Sequence, residues 1–380
     1  MNRSRLVVYD TSNFVDYPVG GQLTSISNFL HYVCETETAH IKDILLVGVS
    51  GKQENVGKIS SVEVGGHKIS FIPVTLAESD LNHVKHSLRI SYVKGIRRYR
   101  KQLALKSSDC HYVNTPEAFG AVRSIVHGAD IFIFSHGSFL NLTRDARFFR
   151  RSKLIRQAAD MYFRDIIRKC RCVFVLDRDT LNEYRRYTDR AILVGNSIVC
   201  QEKTNRPHLA GRTIRCMYAG RLSANKRIGV IAQAVNDYPG DIHLTIAGAG
   251  ETDEELRKLC TDRITMTGAL TPDRVHELMK DNDILIMNSE REGIPMAILE
   301  AESYGMPIVT TDVGGIGDVT DYGKDSEKTD GTKDGIIDAI SRIAGDYEDY
   351  SRSSWEHSKD FDYHKVNGKI MQELNKKLCW

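Results

Sequence analysis

Residues 288–302 read NSEREGIPMAILEAE, leaving the buried apolar run Ile284 to Met287, turning through a polar loop and entering a helix. Pro295 suits the first helical turn, where its missing N–H costs no hydrogen bond. The backbone N–H groups of Gly293, Ile294 and Met296 then stand free at a helix N-terminus and offer a place for anions or hydroxyl oxygens. Glu292 lies in the loop and Glu300 follows within the helix, so two carboxylates border one site at different depths. Acids so spaced suit polyhydroxyl recognition, one for a sugar and one for a ribose. Taken alone, Glu300 and Glu302 read as solvated helix acids.

Outward from this stretch, short β-branched runs alternate with amphipathic helical patterns. Leu6 to Tyr9, Ile44 to Val49, Ile69 to Val74, Ile131 to Phe134, Cys172 to Leu176 and Ile192 to Val194 recur in the first half. Ile214 to Tyr218, Leu244 to Ile246, Ile284 to Met287 and Ile308 to Thr310 follow in the second, with helical patterns around 228–235, 254–259, 272–279 and 296–304. Such alternation predicts parallel sheets covered by helices, an α/β architecture. The polar segment 201–212, with Pro207 and Gly211, interrupts the pattern and places a linker there. Two doubly wound, Rossmann-like domains facing a cleft are expected, residues 1–205 and 206–380, with the final helix free to pack back on the first. In open α/β sheets ligands sit beyond the carboxyl ends of strands, which directs the search to the loops after these runs.

A chain of 380 residues, 41% hydrophobic and 27% charged, is an ordinary globular protein long enough for two cores. No apolar run approaches the ~18 residues of a membrane span, and the first ten residues lack a signal-peptide core. A cytoplasmic location is the expectation. The eight cysteines have no paired spacing and read as reduced core thiols. Residues 1–200 carry 29 Lys+Arg against 19 Asp+Glu, whereas 201–380 carry 23 against 31. The basic first half either meets something anionic or is a solvated surface.

Two further segments complete the pattern. Residues 218–227, YAGRLSANKR, run from a strand through a glycine into a loop and a helix start, placing Arg221 and Lys226 at its mouth. Arginine grips phosphate oxygens bidentately and lysine adds a mobile point charge, so the two suit a departing diphosphate. With Ser289, Glu292, Gly293, Glu300, Ala301, Gly305, Pro307 and Val309, the chain resembles glycosyltransferase family 4, whose Glu-x7-Glu segment has this form. The resemblance is strongest over 214–320. It implies a GT-B fold and a retaining, metal-independent transferase using a nucleoside-diphosphate sugar as donor, with no cofactor and no metal. It maps Arg221 and Lys226 onto the diphosphate, Glu292 onto the sugar, Glu300 onto the ribose, and the loops with Gly248 and Gly268 onto the nucleotide. In the first half it likens Gly20 and Gly21 to a glycine pair beside the donor phosphate, and His136 to a histidine near the reacting sugar. Without the resemblance, the glycine pair is a turn before a helix and His136 a packing residue.

The implied acceptor is a glycan or polyprenyl-linked glycan in surface polysaccharide synthesis. The basic stretch 85–106, with Arg97, Arg98, Arg100 and Lys101, reads as an amphipathic helix that approaches the inner face of an anionic membrane or stays solvated. A second basic run, 144–171, carries Phe148, Phe149, Leu154 and Tyr162. The polar segment 322–333 lacks an apolar strand. Rival readings are a sugar-nucleotide epimerase or phosphorylase of the same architecture, and a silent module that binds anionic lipid. Nucleic acid is not expected, since the aromatics of the basic runs read as amphipathic rather than as an exposed row for stacking bases.

Overall fold

The computed structural model describes residues 4–14, 21–36, 41–77, 88–140, 153–202, 209 and 211–378. The chain divides into two compact units, residues 1–195 with 364–380, and residues 196–363. The second unit therefore begins before the polar segment 201–212, and the last helix, Tyr363–Leu378, counts with the first.

The first unit is built on an eight-stranded sheet, in the order β3-β4-β2-β1-β5-β6-β7-β8. Its strands are β1 (Ser4–Asn13), β2 (Ile41–Ser50), β3 (Ser60–Val64), β4 (His67–Leu76), β5 (Cys110–Val113), β6 (Ile131–Ser135), β7 (Cys172–Val175) and β8 (Ala191–Leu193). All neighbours pair parallel except β3 and β4, a hairpin turned by Gly65 and Gly66. Both glycines take positive φ, 54° and 76°, which a two-residue hairpin turn requires and residues with a Cβ resist. Val7, Val47, Ile72, Ile133 and Val173 are buried where helices cover the sheet. Strands covered on both faces read as unbroken apolar runs, which is why most were visible in the sequence.

The second unit holds a six-stranded, all-parallel sheet of β9 (Ile214–Ala219), β10 (Ile242–Ala247), β11 (Ile264–Gly268), β12 (Ile284–Met287), β13 (Ile308–Thr310) and β14 (Ser326–Lys328). Its order is β11-β10-β9-β12-β13-β14. The chain winds out from β9 in one direction and from β12 in the other, so the order reverses between these two strands. That reversal opens a crevice beyond their carboxyl ends, where doubly wound sheets take ligands. The polar edge at 322–333 carries a strand after all, β14. Its Ser326 and Glu327 are buried, with Glu327 bonded to Arg342 and Tyr350.

The unit closes on itself where the chain enters and leaves it. Ile198 N donates to Phe361 O at 3.0 Å and Tyr363 N to Ile198 O at 2.8 Å. Of the seven cysteines among the described residues, all are free, and burial raises the thiols of Cys110, Cys170, Cys172 and Cys216 well above the ordinary value. They are packing residues, inert as nucleophiles. Among the described residues no helix is long and apolar enough to cross a membrane.

Candidate active site

The loops after β9 and β12 stand side by side at the reversal point, tied by four bonds between three pairs of residues. Glu290 N donates to the carbonyl of Asn225 at 2.8 Å. Arg227 reaches the backbone carbonyl of Asn288 at 3.0 Å and its side-chain oxygen at 3.2 Å. Lys226 Nζ pairs directly with Glu292 Oε1, with 18% and 10% of the side chains exposed. The sequence placed Lys226 and Glu292 in one site, and the geometry brings them into contact.

The same Glu292 oxygen also accepts from the hydroxyl of Ser289, at 2.6 Å. Ser289 is in turn anchored through its carbonyl, which accepts from Thr311 Oγ1 at 2.7 Å. Below the loop, Gly314 (φ +60°) approaches so closely that a Cβ there would lie 1.9 Å from Glu292 O. Gly315 N donates to Gly293 O at 3.0 Å. The residues 311–315 thus form a backing for the Glu292 loop.

Past Glu292, the helix Met296–Ser303 begins with Pro295 as its flanking cap residue, one place before the first helical turn where the sequence had put it. The N–H groups of Gly293, Ile294 and Met296 donate no hydrogen bond among the described residues. A Cβ on Gly293 would meet nothing within 4 Å. Three unused donors beside open space, at a positive helix end, make a seat for an anionic or hydroxyl oxygen. Glu300 lies deeper on the same helix, and burial pushes its carboxyl up to about 7. No side-chain partner among the described residues compensates that burial.

Arg221 is exposed, and its guanidinium bonds to none of the described residues; its carbonyl accepts from Tyr218 OH at 2.9 Å and from Ser223 N at 3.2 Å. It is a free cation at the mouth of the site. Gly248 has a packing reason to be glycine, since a Cβ there would sit 1.9 Å from Gly220 O. Its N–H donates to Gly268 O at 2.9 Å, which joins the loops after β10 and β11. Gly268 takes φ +74° with open space around it.

His136 belongs to the first unit, directly after β6. Its ring meets that of Phe134 at a tilt, with centroids 4.8 Å apart, Nε2 is buried without a hydrogen-bond partner among the described residues, and burial lowers its basicity to about 4, so the ring is neutral at physiological pH. Gly20 lies outside the described residues, while Gly21 opens the helix Gly21–Thr36.

The sequence missed the residues that hold the site rather than line it. Arg227 sits at φ +47°, an uncommon conformation for a side-chain-bearing residue, fixed by Asn288. Asn288 is fully buried and donates to Gly331 O at 3.2 Å. The only available signal was the adjacency of Arg227 to Lys226.

A sheet of this order, with cations after its first strand and a carboxylate at a helix N-terminus after its fourth, is a doubly wound domain with a polar site at its point of reversal. The family model for group 1 glycosyl transferases matches residues 213–346, a stretch that lies within the second unit. Among curated proteins, the chain is similar to the O-antigen biosynthesis glycosyltransferase WbnH of Escherichia coli, 28% identical over 175 residues, covering 45% of this chain and 49% of that one. It spans between a third and a half of the length of the first curated relatives it matches. Among solved structures, the sucrose-phosphate synthase of Thermosynechococcus elongatus superposes over 99% of this chain and 100% of its own, with TM-score 0.78 and 13% identity. Anabaena HepE in complex with UDP-glucose covers 98% and 99%, with TM-score 0.68 and 16% identity. At such identities the superpositions establish the GT-B fold.

Proposed function

We propose that the protein is a retaining glycosyltransferase that moves a sugar from a nucleoside diphosphate to a glycan or polyprenyl-linked glycan acceptor, in surface polysaccharide or glycolipid synthesis. The observation that carries this reading is the Lys226–Glu292 pair, held by Ser289 beside three unused helix N–H groups at the sheet's reversal point. In the free protein these charges satisfy one another. A bound donor separates their tasks. Lys226 and the exposed Arg221 take diphosphate oxygens, Glu292 accepts from sugar hydroxyls, and Glu300 accepts from the ribose diol.

The reaction breaks the bond between the anomeric carbon and the diphosphate oxygen while the acceptor hydroxyl attacks from the same face. The leaving phosphate oxygen takes the hydroxyl proton. Negative charge grows on the diphosphate at that moment, and preorganised cations and helix N–H groups stabilise it more than they stabilise the ground state. These groups supply the positive charge that other folds draw from a metal. The similarity to HepE, solved with UDP-glucose, favours a uridine donor as the first to try.

The place of action is the inner membrane face. The helix Leu88–Arg98 turns Tyr92 and Ile96 into the core of the first unit and leaves its arginines outward with a single exposed large apolar side chain, Ile90, so it offers mainly charge. The helix Lys153–Lys169 is different: Leu154 is 78% and Met161 70% exposed beside Arg156 and Arg164. Phe148 and Phe149 of the same basic run lie outside the described residues.

The deciding experiment incubates the protein with UDP-, GDP- and ADP-sugars, with and without a lipid-linked acceptor. Acceptor-dependent release of a nucleoside diphosphate, with an α-linked product from an α-linked donor, supports the reading. Interconversion of free sugar nucleotide would instead identify an epimerase, and consumption of inorganic phosphate a phosphorylase.

A further inference from the structure

The helix that begins beside Glu292 ends in a second polar cluster. Glu302 in its last turn, Asp325 just before β14 and His357 in the last turn of the helix Tyr347–Ser358 converge from three segments of the second unit. His357 Nδ1 lies 2.9 Å from Asp325 Oδ2 and 3.4 Å from Glu302 Oε2, and one ligand atom from each residue falls within 4.8 Å of the others. Glu302 is fully buried and Asp325 1% exposed. Neither oxygen of Glu302 accepts a hydrogen bond, and His357 Nδ1 makes none of good geometry with either carboxylate. Asp325 is oriented from behind, its other oxygen accepting from Asp321 N at 2.8 Å and its carbonyl from Ser354 Oγ at 3.0 Å.

Burying two carboxylates is costly unless their charge and lone pairs are met. Without an ion, Asp325 and Glu302 outweigh burial and hold the His357 imidazole protonated, up to about 10, while burial pushes the Glu302 carboxyl up to about 8, so the cluster balances its charge only by keeping a proton on Glu302. A dication with a neutral imidazole balances the cluster and uses the free Glu302 oxygens. Tetrahedral bonds of about 2.0–2.2 Å place ligand atoms about 3.3–3.6 Å apart; the His357 to Glu302 separation of 3.4 Å lies in that range, and His357 to Asp325, at 2.9 Å, would have to open. The cluster also lies at the negative end of its helix, which favours a cation.

We propose that Glu302, Asp325 and His357 form a structural site for a divalent transition-metal cation, Zn2+ foremost. Glu302 gives one or both oxygens, Asp325 Oδ2 and His357 Nδ1. Mixed oxygen and imidazole donors without thiolate suit Zn2+ and Mn2+, and Zn2+ binds the tighter of the two. The ion ties the Glu292-bearing helix to β14 and to the chain's return path. It has no part in holding the diphosphate, which meets the opposite end of that helix. The residues lie far apart in sequence, so no local spacing announces them, and the expectation that the chain holds no metal is revised for this place alone.

The test strips the full-length protein with chelator, desalts it and titrates Zn2+, reading retained metal by mass spectrometry, melting temperature and proton release. One-to-one binding is expected, with a raised Tm and a heat that depends on buffer ionisation as ligands give up protons. Glu302→Gln and His357→Asn should each lose that retained metal and the Tm rise. If Glu302→Gln does not fold, His357→Asn and the parent's proton release still decide. Retention no greater than background, or equal in parent and variants, overturns the site and leaves a proton-sharing ion triad.

Discussion

Gly314 lies directly beneath the carbonyl of Glu292, with room for a hydrogen and none for a methyl group. The carboxylate's place is therefore set by a residue in the following loop as much as by its own. Gly314→Ala meets both a 1.9 Å clash and a strained φ of +60°. It should lower Tm and abolish donor binding together, at a cost on the order of 1–3 kcal/mol or more. Gly293→Ala meets nothing within 4 Å, so it should melt like the parent and lose only affinity for donor. Thermal melts and donor titrations of both variants check the contrast; a normal Gly314→Ala protein would refute it.

The four charged residues should separate by role. Lys226→Ala and Arg221→Ala remove cations most useful when the diphosphate leaves, so kcat should fall by more than donor KM rises. Glu292→Gln loses a charge-assisted hydrogen bond, costing about 1.5–3 kcal/mol or ~10- to 100-fold in rate. Glu300→Ala should weaken donor binding with a smaller effect on kcat. Steady-state kinetics on folded variants test this, and four parent-like proteins would refute the site.

Glu300 gives a pH signature. Its native carboxyl titrates at about 7, raised by burial, against about 4.3 in an unfolded chain. The native state therefore holds the extra proton between these values, and stability falls as pH rises through that window. Ribose hydroxyls donate to the ionised form, so donor affinity should rise with pH through about 7 and flatten in Glu300→Gln. Donor Kd across pH 5.5–8.5 reads this; a slope of opposite sign would exclude the ribose role.

Turnover should persist in excess chelator, because Arg221, Lys226 and the helix N–H groups neutralise the diphosphate. Readdition of Mg2+ or Mn2+ should change kcat little. The assay belongs well below Tm, where loss of a structural ion leaves the fold intact. Activity abolished by chelation and restored by Mg2+ would count against the mechanism.

Binding to anionic vesicles should be weak and fall with salt. Arg97, Arg98, Arg100 and Lys101 to Gln should reduce it electrostatically, and Leu154 with Met161 to Ser should reduce what remains at high salt. Cosedimentation distinguishes the two contributions, and no binding in low salt would refute both.

Apolar runs marked β1, β2, β4, β6, β7, β8 and the four central strands of the second sheet, whereas the buried β5, Cys110–Val113, did not stand out, since Cys110 and His111 break its apolar run. The hidden strands have other reasons to exist. β14 rests on backbone pairing and the Glu327 contacts, β11 alternates in and out at an edge, and β3 is half of a glycine-turned hairpin. The site divides the same way. Arg221, Lys226, Glu292 and Glu300 could be singled out only through the spacing they share with the family, because taken alone each reads as a solvated charge. Arg227, Asn288, Thr311 and Gly314 were not, because a bracing residue is defined by its partner and partners across tens of residues leave no periodic trace.

The pair of hydrogen bonds that joins Ile198 to Phe361 and Tyr363 makes the second unit an insertion with its two ends side by side. Such a unit can be exchanged between relatives as a cassette with junctions at 195/196 and 363/364. A chimera cut there would take on a new nucleotide-sugar module while keeping the C-terminal helix that counts with the first unit. One joined at a single point near residue 205 would inherit a mismatched helix and leave an orphaned strand partner at Ile198.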